Sequence, residues 1–180
     1  MRRRVDRGAS LVEVGLILPV LILLSIGLAE IGFLVVDYLT VTNAAREGAR
    51  TGAAAADFPT ADDLILQAIE EASCNLRFGE LQLVRVFKAD GVGDPIVGSI
   101  NEYTPSGSGL ACDSPLIDLS CANGCPWLAA NRDRIPPTLD VLGVEVTFSH
   151  TSVTGIFPFP TVNWTETAVM QIEPDTRGTQ

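Results

Sequence analysis

The sixteen uncharged residues from Val14 to Ala29 constrain this chain more than any other stretch. Carried on to Val36, the run reaches 23 residues with a single acid, Glu30. A helix of ~20 apolar residues crosses a bilayer. Ahead of the run, residues 1–8 hold four arginines and one acid, a net charge of +3. The remainder holds eight basic and 21 acidic residues, a net −13. Cytoplasmic flanks of membrane helices are enriched in Lys and Arg, so the N-terminus is expected inside and the acidic bulk outside. A total charge of −10 argues against a nucleic-acid partner, which needs a basic footprint. A hydrophobic content of 47% excludes global disorder.

A basic start followed by an apolar run also spells a cleaved secretory signal, with Gly27-Leu28-Ala29 as its small-residue site. The run continues through Ile31, Phe33, Leu34, Val35 and Val36, which favours a retained span over about residues 11–36. Pro19 lies inside that span and frees a backbone carbonyl, so a kink or local melting is expected there. The helix is expected to continue beyond the membrane, with no proline until Pro59. Small residues recur every fourth position, Ala44, Gly48, Gly52 and Ala56 beside Ala45, Ala49 and Ala53. Glycine costs a helix about 1 kcal/mol relative to alanine. Two glycines on one face therefore point to close approach by another helix or a sheet. Asn43, Arg46 and Arg50 form a polar stripe beside them, and Glu47 can pair with Arg50. One helix over residues 9–56 would be about 70 Å long.

Four groups of residues carry a family resemblance. They are Gly8-Ala9-Ser10-Leu11-Val12-Glu13, then Leu18-Pro19, then Ala29-Glu30-Ile31-Gly32, then Thr42-Asn43-Ala44-Ala45-Arg46-Glu47-Gly48-Ala49-Arg50. Together they resemble the N-terminal half of TadE-like proteins, the pilin-like proteins of the tight-adherence (Flp pilus) system. Val144 to Glu173 resembles the family's ending, two strands about a Phe-Pro turn, whereas the middle, roughly 75–140, resembles nothing quotable. Position 31 departs from the family, in which an aromatic often follows the acid at the equivalent of Glu30. The resemblance implies a prepilin: a prepilin peptidase would remove a leader, residues 1–8, after Gly8 and leave Glu13 as the fifth residue of the mature chain. It further implies that Glu13 is neutralised by the new amino group of Ala9 on a neighbouring subunit. The implied partners are other pilin-like subunits or the chain itself through the N-terminal helix, the inner-membrane pilus assembly machinery and membrane lipid. A carboxylate within an apolar helix is costly and usually faces a partner. Glu30 is expected near the outer interface, where that cost is lower.

Residues 57–180 read as a small extracytoplasmic α+β domain. Thr60 is the expected cap of a helix with Asp62 and Asp63 in its first turn, and Leu64, Ile65, Ala68, Ile69 and Ala72 as its apolar face. Strands are expected over 80–88, 96–103, 140–149 and 161–173, with a turn at 90–95. Two acids around glycines in that turn hint at calcium, but the ligand spacing is absent. Residues 104–137 are too long for an ordinary connection and hold three of the four cysteines. Cys74, Cys112, Cys121 and Cys125 are expected to form two disulfides, for which four cysteines allow three pairings. The preferred one joins Cys74 to a loop cysteine and lets the other two close a small loop. Zinc at Cys121-x3-Cys125 is the alternative, though the spacing is not the usual knuckle. Trp127, beside these cysteines, is expected in a small core.

Nothing in the chain spells catalysis. His150 is the single histidine, and no nucleophile elbow, phosphate loop or paired-carboxylate motif occurs. Asn163-Trp164-Thr165 has the spelling of a glycosylation sequon and little more. No enzyme activity, cofactor or metal is expected. Two function classes follow: a minor pilin or pseudopilin acting in pilus assembly, and a membrane-tethered binding or adhesion module outside the filament.

Overall fold

The computed structural model describes residues 5–74, 76, 78–105, 120–155 and 161–174. Helix α1 runs unbroken over Val5–Ala55 and α2 over Ala61–Ser73. Four strands follow, β1 Gly79–Ala89, β2 Pro95–Tyr103, β3 Val141–Thr151 and β4 Thr161–Gln171. They form one antiparallel sheet in the order β2-β1-β3-β4. The architecture is α+β, two helices against one face of a four-stranded sheet.

The strands form where β-branched and aromatic residues alternate. Leu142, Val144, Val146 and Phe148 of β3 and Val84 and Val86 of β1 are fully buried on the face that meets the helices. The opposite face carries Arg85, which bridges three strands by bonding Glu102 of β2 and Glu145 of β3, both at 2.9 Å. Phe87 is buried on that outer face because Gly143, paired with it on β3, leaves room for its ring.

Local expectations differ from the structure in three places. Helix α1 runs through Pro19 without the local melting: the fixed φ of proline is itself helical, and a long helix tolerates one missing hydrogen bond. Thr60 precedes α2 but its hydroxyl caps nothing, because its φ of −98° and ψ of 14° lie outside the extended region an N-cap requires. The buried stripe of α2 is Ala61, Ile65, Ile69 and Ser73 with Leu66 on its flank, while Leu64 is exposed. The shift arises because α2 packs its i, i+4 row into the glycine row of α1 rather than lying flat on the sheet.

Candidate functional site

Helix α1 has two stretches with different surroundings. From Ser10 it contains an 18-residue window of mean hydropathy 2.6, none of it buried. Leu11, Leu16, Leu24 and Leu28 are exposed. The segment 11–28 is about 27 Å long, close to the ~30 Å hydrocarbon core of a bilayer. The helix passes through the Gly8–Ala9 junction without a break. Glu13 is exposed and meets no partner within the chain among the described residues.

From Ile26 onward one face of α1 is covered by the chain's own domain. The covered positions are Ile26, Glu30, Phe33, Asp37, Val41, Ala44, Ala45, Gly48, Ala49, Gly52 and Ala53, a helical stripe. Each small residue in it marks a close approach. A Cβ added at Gly48 would come 2.8 Å from Ile69 Cγ1 of α2, and one at Gly52 would come 2.7 Å from Ile65 Cδ1 and 3.0 Å from Leu142 Cδ2 of β3. Ala44, Ala45 and Ala49 are fully buried in the same core. The glycine stripe therefore seats α2 and the sheet of its own chain.

The lower part of the stripe is polar. Glu30 is 5% exposed and its carboxylate accepts three hydrogen bonds from the segment after β3. The donors are the Val153 amide at 3.1 Å, the Thr154 amide at 2.6 Å and the Thr154 hydroxyl at 2.6 Å. Asp37, two helical turns on, is 1% exposed and lies 2.8 Å from His150 Nδ1. Phe33 packs against Phe78 in a tilted ring contact, with centroids 4.9 Å apart. Sequence reasoning gave Glu30 no inward role and missed Asp37 and its pairing with His150. The signal was present: Glu30, Asp37, Val41, Ala44 and Gly48 are spaced 7, 4, 3 and 4, so the small-residue stripe extends back onto both acids.

At the far end of α1, residues 120–137 are fastened to the corner between the helices. Arg132, its side chain fully buried, ion-pairs with Asp62, donates to the Ala56 carbonyl at 3.3 Å and lies 4.6 Å from the Trp127 ring centroid. Asp62 also accepts from Tyr103 Oη at 2.6 Å and Asn101 Nδ2 at 2.9 Å. Asn101 in turn holds both backbone groups of Trp127. An acid expected merely to favour a helix start is thus the hub of a buried network. Burial, then the Asp62 charge, push the Tyr103 phenol far above its ordinary range.

Cys121 and Cys125 are joined in a disulfide, which leaves no thiolate there for zinc. Cys74 is also disulfide-bonded, and Cys112 lies outside the described residues. The short loop closed by Cys121–Cys125 lies along β2. The Ala122 amide donates to the Glu102 carbonyl at 2.9 Å, and the Asn123 side chain bonds the Ile100 carbonyl at 2.6 Å and the Glu102 amide at 3.2 Å. In the 90–94 turn, Asp90 Oδ1 accepts from the amides of Val92, Gly93 and Asp94 at 2.8–2.9 Å. Those bonds, led by Val92, hold the Asp90 carboxyl below its ordinary range. Among the described residues no group of three or more His, Cys, Asp or Glu could hold a metal.

Residues 8–50 match the family model described as TadE-like protein. The match takes in α1 from Gly8 through Glu13, Glu30, Asp37 and Gly48, and covers less than a quarter of the 180-residue chain. No curated protein and no solved structure matches the chain. The matched segment points to a pilin-like protein associated with a tight-adherence pilus.

Proposed function

We propose that this chain is a minor pilin or pseudopilin that acts in assembly of a tight-adherence pilus and is processed after Gly8 by a prepilin peptidase. One observation carries the reading. A single helix, TadE-like over residues 8–50, has a bare apolar end of bilayer length and another end that seats a folded α+β domain. The bare end anchors the chain in the inner membrane, N-terminus in the cytoplasm, and the acidic domain projects outward. Removal of residues 1–8 leaves a free amine at Ala9. Glu13 then has a partner on the adjacent subunit, and the pairing sets the axial register of neighbouring helices. The domain holds no catalytic constellation in this reading and acts as a rigid head.

N-terminal sequencing of the protein from wild-type cells tests the processing step. A mature chain beginning at Ala9 is expected, and a chain retaining residues 1–8 overturns it. Glu13→Ala should insert into the membrane normally and fail to support pili. Normal pili in that variant would remove Glu13 from the mechanism.

A further inference from the structure

The two edges of the sheet are treated differently. At β2, Ala122 and Asn123 occupy the outward groups of Ile100 and Glu102, so a loop guards that edge. At β4 the pairing with β3 is regular over Thr161 to Thr151 and Gln171 to Val141, and among the described residues nothing bonds the outward backbone groups. The strand has no proline and no lysine, the usual protections of an edge. Its helix-facing side chains Trp164, Ala168 and Met170 are only partly covered by α1. Between them sits Glu166, half-buried, with no hydrogen bond or ion pair among the described residues. The outer face of α1 carries the complement. Arg46 is exposed and makes no ion pair among the described residues, while Arg50 beside it is taken by Glu47 at 3.0 Å.

The levels of these two charges along the helix axis agree. Trp164 meets Tyr38 edge-on at 6.2 Å, and the Glu173 amide bonds the Ala53 carbonyl at 3.0 Å, so β4 runs beside α1 in the same direction. Glu166 lies two residues beyond Trp164, about 7 Å along the strand, which is about four to five residues of helix and the level of Thr42. A helical side chain leans one turn toward the N-terminus, which brings the guanidinium of Arg46 to the level of residue 42.

We propose that the groove between α1 and β4 receives the outer face of α1 from a second copy standing beside it at the same height, with Arg46 of that copy meeting Glu166. The orientation rests on the reading of residues 11–36 as a shared membrane segment, which requires parallel helices. Antiparallel pairing of two β4 edges about a twofold normal to the sheet would set the helices in opposite directions. The side-by-side contact is heterologous, so each copy offers one groove and one helix face and the arrangement can extend.

Two differently tagged copies of the full chain, co-expressed and extracted in mild detergent, test the interface by co-purification. Glu166→Arg and Arg46→Glu, each paired with itself, should lower recovery by about tenfold or more, the size expected of like charges forced together. Mixing the two single variants should restore recovery, because each groove then meets a face of opposite charge. Both positions lie outside the core, and unchanged thermal unfolding of each variant excludes misfolding. Failure of wild-type copies to co-purify, unchanged recovery with the single variants, or absence of rescue in the mixture overturns the interface. Rescue confined to the double variant within one chain also overturns it, since the pair would then be internal. Resistance of the chain to alkaline extraction from membranes reports separately on the membrane reading. Its loss refutes that reading and the parallel orientation with it, whereas retained resistance without rescue refutes the interface alone.

Discussion

Gly52→Ala decides whether the small-residue stripe of α1 serves the chain's own fold. In an unpacked helix the substitution stabilises by about 1 kcal/mol. In this fold the new methyl would lie 2.7 Å from Ile65 Cδ1, 2.9 Å from Ile65 Cγ1 and 3.0 Å from Leu142 Cδ2. Carbon atoms rest at ~3.5–4.0 Å, so the methyl intrudes by about half an ångström or more on two elements at once. Such overpacking costs about 1–3 kcal/mol. Set against the gain in helix propensity, the net change is a loss of about 0–2 kcal/mol. Denaturant unfolding of the full chain in detergent micelles, followed by the fluorescence of Trp127 and Trp164, measures it. Gly32→Ala is the control, because a Cβ there meets nothing within 4 Å. Ile65→Val, which alone costs about 0.5–1.5 kcal/mol, should cost less in the Gly52→Ala background because it removes the nearest carbon. A Gly52→Ala protein about 1 kcal/mol more stable than wild type, the value of an unpacked glycine, would refute the seating of α2 and β3 on this stripe.

Two further outcomes follow from the polar contacts. Glu30→Gln removes the charged acceptor of the Val153 and Thr154 donors, so amide exchange at those two residues should speed up while exchange in β1 and β3 stays unchanged; unaltered exchange at Thr154 would show that the carboxylate does not hold the segment. Tyr103 is held neutral in the fold, whereas in the unfolded chain its phenol ionises near its ordinary value of 10.0. Its contribution is therefore complete below pH 10 and is lost as pH rises above it, so Tyr103→Phe should flatten the alkaline limb of the stability curve. A limb of unchanged steepness in that variant would assign it to another group.

The parts of the fold legible in the sequence are those specified by local period. The length of α1, its apolar run and its glycine stripe repeat at helical spacing, and the strands show as β-branched segments between turns. The contacts made across long separations were not legible. Glu30 reaches Thr154 across 124 residues, Asp37 reaches His150 across 113, and Arg132 reaches Asp62 across 70. Nothing near Asp62 in sequence tells its role as a hub from that of an acid at a helix start. The apolar face of α2 was misplaced for a related reason. Leu64 and Ile65 fit a helical stripe equally well, and only the glycine row of α1, a separate segment, selects Ile65.

The polar end of the covered stripe bears on where the membrane stops. An acid at position 30 of an apolar helix is expensive in hydrocarbon unless donors satisfy it. Here the donors come from the chain's own segment after β3, so that segment must reach Glu30 whenever the domain is folded. Residues 30–37 are consequently two-sided. Glu30, Phe33 and Asp37 face the domain, while Ile31, Val35 and Val36 are exposed on the other side. A segment with protein on one side and bare apolar residues on the other is poorly suited to lie wholly in lipid. It is well suited to the outer interface, with a neighbouring helix against its bare side. If α1 anchors the chain in a membrane as proposed, this places the lipid-spanning part nearer 11–29 than 11–36 and the base of the domain at the membrane surface. Val35, Val36 and Leu39 then lie just above the lipid, on the exposed side of α1 that carries Arg46 about two to three turns further along the helix. That face has both the apolar surface and the charge that the groove beside β4 requires.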